Sequence, residues 1–249
     1  MNLLIKQKFF NHLIIYFMLD NETKELQSIF PEGALAQNLS RRKFFGWMGA
    51  GTALMVTASA CGKDKNNNSG VDLGSGDIGV LNYAYALEQL EAAFYVQVIK
   101  TPYSSMSTQE MSYLTDVRDH EVAHREFFKA ALSSKAIQAL EVNFSAIDFT
   151  NRTSVLGTAQ AFEDLGVSAY NGAGKLLVSP DYLTIAGKIV SVEARHAALI
   201  RDLISPGSFA DMTAVDAMGL DKARAPKDVL AIASAYLKTQ LNANNLPTS

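Results

Sequence analysis

Four segments of this 249-residue chain each place a glutamate inside an otherwise apolar helical stripe. Apolar residues recur around it at spacings of three and four, which puts each set on one face of a helix. The glutamates are Glu88, Glu121, Glu163 and Glu193. Burying a carboxylate is costly unless another charge or a metal ion compensates for it. We therefore expect a helical domain whose core holds four carboxylates together with compensating cations.

The same arrangement occurs twice along the chain. In each half, one glutamate is followed seven residues later by a tyrosine, and another is followed three residues later by a histidine. The tyrosine pairs are Glu88 with Tyr95 and Glu163 with Tyr170, and the histidine pairs are Glu121 with His124 and Glu193 with His196. Two divalent ions would neutralise the four carboxylates, and the histidines would add neutral nitrogen ligands. We therefore predict a two-metal site with these glutamates and histidines as ligands and the tyrosines as their supports. Simple core filling is the alternative for the tyrosines.

Two neighbouring residues compete for a place in this site. Glu91 lies one turn from Glu88 on a similar helix face, but Glu88 is preferred because it shares the tyrosine spacing of Glu163. His120 lies about 100° round the helix from Glu121 and is predicted to be a surface residue or a partner of a ligand. Ordinary surface glutamates are the alternative to the whole site. The repetition of the pattern with two of the four histidines argues against that alternative.

Helical periodicity with little strand alternation extends over the chain after Val80. Four long helices are predicted over 81–99, 107–132, 152–177 and 180–203, and a fifth begins near Pro226 and includes Tyr236 and Leu237. Ser107 with Glu110 forms a capping box, and Ser179 followed by Pro180 is typical of a helix start. The fold class is therefore all-α. We predict a four-helix bundle over 80–205 with a long crossover between helices two and three, then a C-terminal loop and fifth helix over 206–249.

The residues around the glutamates resemble the ferritin-like di-iron carboxylate superfamily. The segments LEQLEAAFY (87–95), HEVAH (120–124), FEDLGVSAY (162–170) and VEARH (192–196) are similar to exported bacterial ferritin-like proteins related to plant desiccation-related proteins. The resemblance covers about residues 80–205. It implies a ferritin-like bundle with two iron or manganese ions as cofactor, and it does not fix a reaction. Rubrerythrins resemble this core but add a Cys-rich electron-transfer module, whereas this chain has one cysteine, so any reductant is external.

The first 60 residues are predicted to be an export signal. Arg41 and Arg42 precede an apolar run over 46–60 and resemble a twin-arginine (Tat) signal. The run ends in Ala-Ser-Ala before Cys61, which fits either a lipobox with Cys61 lipidated or simple peptidase cleavage, both after Ala60. Met18 is an alternative start that would leave 1–17 untranslated. Residues 61–79 are rich in Asn, Gly and Ser and are predicted to be a flexible tether, so we expect an exported periplasmic or cell-envelope protein with a lipid anchor.

These predictions favour an exported protein whose two-metal centre reacts with O₂ or peroxide, as a ferroxidase, peroxidase or catalase-like oxidoreductase. The six predicted ligands are assigned to metal binding, and no catalytic residue is assigned. The alternative is a non-catalytic stress- or desiccation-related structural protein with the same bundle. A net charge of −3 argues against nucleic-acid binding, and the only expected membrane contact is the lipid anchor. A closed iron-storage shell is disfavoured by the tether, while smaller oligomers remain open.

Overall fold

Four long helices dominate the computed structural model, which describes residues 70–248. In the described chain the helices are α1 (Gly76–Lys100), α2 (Thr108–Leu132), α3 (Arg152–Gly174), α4 (Pro180–Ile204) and the short α5 (Pro226–Ala233). Helix α1 packs along α2, α3 packs along α4, and α1 and α3 also contact each other. The segment 133–151 joins the two helical hairpins. The prediction of an all-α four-helix bundle with a crossover between the second and third helices is therefore confirmed.

Local capping interactions explain where these helices begin. The Ser107 hydroxyl accepts a hydrogen bond from the Glu110 amide at 3.1 Å, and the Glu110 carboxylate accepts one from the Ser107 amide at 3.0 Å. The Asn151 side chain accepts from the amide of Ser154 at 3.1 Å. These contacts satisfy amides that the first helical turn leaves without a partner. The capping box predicted from the sequence is present, whereas α1 begins earlier than predicted and α3 ends earlier.

The folded unit begins inside the segment predicted to be a tether. Strand β1 (Val71–Asp72) pairs in parallel with β2 (Leu241–Asn242), and the amide of Val71 donates to the carbonyl of Gln240 at 2.8 Å. Leu73 is fully buried. The predicted tether over 61–79 is therefore wrong from residue 70 onward, because these residues pack against a partner far along the sequence. The predicted export signal, Cys61 and the rest of the tether lie outside the described residues.

The C-terminal segment covers one side of the bundle. Val229 and Ala233 of α5 are fully buried, and α5 contacts α3. The fifth helix is shorter than predicted, because it ends at Ala233 and a 3₁₀ turn (Ser234–Tyr236) follows. The rings of Tyr236 and Phe162 pack in a T-shaped contact at a centroid distance of 4.7 Å. No helix within residues 70–248 is long and apolar enough to cross a membrane.

A glycine on α3 permits the loop before α5 to lie against the helix. The amide of Arg224 donates to the carbonyl of Ser168 at 2.9 Å. A Cβ on Gly172 would lie only 1.7 Å from the carbonyl oxygen of Arg224, so the backbone of the loop occupies the place of a side chain. Close approach of this loop therefore requires glycine at position 172.

Candidate metal centre

The four predicted glutamates meet inside the bundle. Each comes from a different long helix, and each is 0% exposed. The residues are Glu88 on α1, Glu121 on α2, Glu163 on α3 and Glu193 on α4. The alternative that they are ordinary surface residues is therefore wrong. Their apolar neighbours on each helix face the core and carry the carboxylates inward with them.

The two histidines cross between the helical hairpins. His124 on α2 places Nδ1 2.8 Å from Oε1 of Glu193, and His196 on α4 places Nδ1 2.8 Å from Oε1 of Glu121. Nδ1 of His124 also lies 3.5 Å from Oε2 of Glu88 on α1. Nδ1 of His196 lies 3.5 Å from Oε2 of Glu163 on α3. The two halves of the site therefore repeat each other in geometry as they do in sequence.

These six residues form two overlapping groups, in each of which four ligand atoms lie within 4.8 Å of one another. The first group is Glu88, Glu121, His124 and Glu193, and the second is Glu121, Glu163, Glu193 and His196. Glu121 and Glu193 belong to both groups, so their carboxylates stand between the two. A carboxylate has two oxygens and can serve two neighbouring cations at once. The geometry thus suits a pair of ions.

Unpaired polar atoms test whether a metal fits this cluster. Among the described residues, eight buried side-chain atoms of the six have no partner in hydrogen-bond geometry. They are Oε2 of Glu88, both oxygens of Glu121, Nδ1 of His124, Oε2 of Glu163, both oxygens of Glu193 and Nδ1 of His196. The two contacts of 2.8 Å between a histidine Nδ1 and a carboxylate oxygen are close charge contacts that are not aligned as hydrogen bonds. Leaving such atoms unpaired is costly, and native proteins rarely do so. Carboxylate oxygens and imidazole nitrogens are ligands of iron and manganese, so the donor set fits.

Without metal, the charges of the cluster are balanced in part by protons. Burial raises the pKa of Glu121 well above its usual range, and repulsion from Glu193 adds to the effect. Burial alone would also raise the pKa of Glu193, but His124 and His196 outweigh it and lower that pKa to about 2. Burial alone would lower the pKa of His124, but Glu193 and Glu88 raise it to about 11. The protonated imidazoles therefore act as counter-ions in the metal-free protein.

The two tyrosines support carboxylates of the opposite hairpin. The Tyr95 hydroxyl on α1 donates to Oε1 of Glu163 on α3 at 2.5 Å, and the Tyr170 hydroxyl on α3 donates to Oε1 of Glu88 on α1. Burial, followed by the charge of Glu163, raises the pKa of Tyr95 well above its usual range, which keeps its proton in place. Each tyrosine holds one oxygen of its glutamate and leaves the second oxygen directed to the cluster. Both tyrosines therefore do more than fill the core.

His120 lies just outside the six residues. Its side chain is exposed, in agreement with the prediction, and its Nδ1 is 2.9 Å from Nε2 of His196. The two rings stack at a centroid distance of 5.1 Å with an angle of 11° between their planes. His196 therefore contacts the carboxylates through one nitrogen and His120 through the other.

Glu91, the predicted competitor of Glu88, is a further buried carboxylate. It is 3% exposed and belongs to neither group of four. Its Oε1 would lie 3.0 Å from a Cβ on Gly166, so the absence of a side chain there leaves room for the carboxylate. The separation of Glu91 and Gly166 along the chain equals that of Glu88 and Glu163. The first repeat thus has a glutamate where the second has a glycine. That difference in the sequence indicates that the surroundings of the six clustered residues differ between the two halves.

Comparison with known families agrees with this architecture. A family model described as "Ferritin-like domain" matches residues 76–206, more than half of the chain. The matched region begins with α1, ends just after α4 and includes all six clustered residues. A search of curated proteins found no match.

Proposed function

Because the chain belongs to the ferritin-like domain family, we propose that its buried cluster binds two iron or manganese ions and reacts with dioxygen or peroxide. The activity would be that of a ferroxidase, a peroxidase or a catalase. The observation that carries the proposal is the convergence of six side chains into two overlapping groups, in which eight buried atoms have no partner in hydrogen-bond geometry among the described residues. Repeated turnover as a peroxidase would take electrons from an external reductant. A ferroxidase would take them from its Fe²⁺ substrate, and a catalase would use peroxide as both oxidant and reductant.

The geometry supports a specific distribution of ligands. Glu88 and His124 would bind one ion, and Glu163 and His196 would bind the other, because each of these pairs occurs in only one group. Glu121 and Glu193 would contribute to the binding of both ions, because they occur in both groups. Four carboxylates carry as much negative charge as two divalent cations carry positive charge. When bound, a pair of redox-active ions would supply the electrons that dioxygen or peroxide accepts.

The surrounding residues would keep this site in shape. Tyr95 and Tyr170 each fix one oxygen of a terminal glutamate, which limits rotation of the carboxylate. His120 contacts the outer nitrogen of His196 and holds the ring with Nδ1 toward the carboxylates. Full burial of the four glutamates excludes bulk water from the cluster.

Metal analysis of the purified chain tests the proposal. Anaerobic addition of Fe²⁺ or Mn²⁺, followed by desalting, is expected to leave two ions per chain. The double variant Glu121→Ala, His124→Ala should lose both ions, because Glu121 belongs to both groups. Glu126→Ala is the matched control, since Glu126 is an exposed glutamate on the same helix. Unchanged metal content in the double variant would refute the metal site.

Turnover separates the catalytic proposal from its alternative. The metal-loaded protein should consume O₂ in the presence of Fe²⁺, or decompose H₂O₂, faster than a protein-free solution of the same metal. The double variant should not exceed that background rate. Two bound ions without any such reaction would instead favour the non-catalytic stress- or desiccation-related protein. In that case the ions would serve as a brace between the helices.

We also propose that the protein is exported to the periplasm or cell envelope and anchored there by lipid on Cys61. The support comes from the sequence, because the residues concerned lie outside the described part of the chain. Cell fractionation followed by intact-mass measurement tests both steps. The expected result is a membrane-bound chain that starts at Cys61 with added acyl mass, and Cys61→Ser should abolish the added mass. A chain cleaved after Ala60 without added mass would leave export intact and refute the lipid anchor.

A further inference from the structure

A small apolar cavity lies beside the buried cluster, between the first part of α1, the last turns of α3 and the first turns of α4. Its volume is about 30 Å³. The outer wall includes the half-buried side chains of Tyr182, Ile185 and Ala186. The inner wall includes the buried side chains of Leu87 and Tyr170. The cavity thus extends from half-buried residues near the surface toward the middle of the bundle.

The inner end of the cavity adjoins the carboxylate cluster. Tyr170 forms part of the wall, and its hydroxyl donates to Glu88. Leu87, another wall residue, is the sequence neighbour of Glu88. Phe128 also lines the cavity and lies one helical turn after His124. A molecule in the cavity would therefore be separated from the cluster by little more than the side chains that support it.

Size and polarity limit what this cavity can hold. A site for water requires about 10–15 Å³ and two to four polar partners. The volume here exceeds that requirement, but the lining is almost wholly apolar and the Tyr170 hydroxyl is already bonded to Glu88. Hydrogen peroxide would lose its hydrogen bonds to water on entry, which is costly. An apolar diatomic molecule has no strong hydrogen bonds to water to lose on entry, and apolar cavities of proteins bind small apolar ligands.

We propose that this cavity binds dioxygen next to the cluster. The assignment of dioxygen as the oxidant, in preference to peroxide, rests on the function proposed above. The binding of dioxygen in the cavity is independent of that proposed function, because it depends only on the apolar lining.

Dioxygen is paramagnetic, so its position can be mapped on the full chain without added metal. Under oxygen pressure, methyl groups of the buried wall residues Leu87 and Val80 should show a several-fold larger paramagnetic relaxation enhancement than those of Leu156 and Ile200. The latter are equally inaccessible controls, because they are buried in the core and do not line the cavity. Equal enhancement at both sets of methyl groups would overturn the proposal.

A variant that fills the outer part of the cavity provides a second test. Ala186→Leu should remove the enhancement at Leu87, and in the iron-loaded protein it should slow oxidation by O₂ several-fold while leaving oxidation by H₂O₂ unchanged. Ala198→Leu is the matched control, since Ala198 is a half-buried alanine of the same helix outside the cavity. An O₂ reaction as fast in Ala186→Leu as in the control would refute delivery through the cavity. If iron in the wild-type protein reacts with neither oxidant, the proposed function fails, and the relaxation measurement still decides whether dioxygen binds.

Discussion

Nδ1 of His120 lies 2.9 Å from Nε2 of His196, and the two imidazole rings are nearly parallel. His196 has its other nitrogen 2.8 Å from Glu121. An exposed histidine therefore orients a buried one, and its Nδ1 can accept a hydrogen bond from Nε2–H of His196 when Nδ1 of His196 serves as a ligand.

His120→Ala is predicted to weaken metal binding by roughly 10- to 100-fold, the usual effect of losing a partner that orients a ligand. Competitive titration of Co²⁺ or Fe²⁺ against a chelator measures the change. His120→Gln should recover part of the affinity, because the amide oxygen can accept from Nε2. Lys129→Ala, an exposed position on the same helix, is the control. Equal affinities for the wild type and His120→Ala would refute the orienting role.

Tyr170→Phe is predicted to lower the free energy of unfolding of the metal-free protein by about 1–3 kcal/mol, because Oε1 of Glu88 loses its partner. Tyr95→Phe should have a similar effect through Glu163. Urea denaturation measures both. Tyr83→Phe is the matched control, because the buried Tyr83 hydroxyl has no hydrogen-bond partner within residues 70–248 and its removal should be neutral or stabilising. Losses of equal size in all three variants would contradict the assigned contacts.

The metal-free protein is predicted to become less stable as the pH rises from neutral to alkaline. The pKa of His124 rises from 6.5 to about 11 on folding, because Glu193 and Glu88 outweigh the opposing effect of burial. Between these pH values the folded chain keeps a proton that the unfolded chain has released. The free energy of unfolding should then fall by at most about 1.4 kcal/mol per pH unit for this proton. Thermal unfolding from about pH 7 to about pH 10 gives the slope.

Bound metal should oppose this loss of stability at high pH, because histidine and carboxylate ligands bind metal ions only when the ligands are deprotonated. The gain in melting temperature on adding Mn²⁺ is therefore expected to grow with pH. His124→Gln should flatten the slope of the metal-free protein, since the proton held between Glu193 and Glu88 is gone. A metal-free protein that gains stability across the same pH range would contradict the prediction.

Gly172→Ala is predicted to lower the free energy of unfolding by about 1–3 kcal/mol, because the added methyl collides with the backbone of Arg224. Gly187→Ala on α4 is the control, since a Cβ there would meet no described atom within 4 Å apart from its chain neighbours and the backbone of its own helix. It should stabilise the helix by about 0.5–1 kcal/mol. Denaturant titration measures the change in the free energy of unfolding of each variant. An increase for Gly172→Ala would show that the loop does not pack on α3 as described.

The sequence predicted those features that depend on local periodicity. Glu88 and the other three glutamates stand in apolar stripes with helical spacing, so their burial followed from the pattern itself. The partners across the bundle could not be predicted in the same way. The spacing of Tyr95 to Glu88 drew attention to the tyrosine, yet its hydroxyl contacts Glu163 of the other hairpin. The contact of Glu91 with Gly166 likewise depends on how α1 and α3 approach each other. The pattern of apolar residues along one helix does not predict such an approach.

The parallel pairing of Val71 with Leu241 has a consequence for the order of assembly. During synthesis α1 leaves the ribosome long before Leu241 has been translated, so the strand that leads into this helix has no partner at first. Contacts between such distant residues form slowly. A nascent chain therefore cannot form this strand pair until residues 241–242 have been translated, so the pairing belongs to the later steps of assembly.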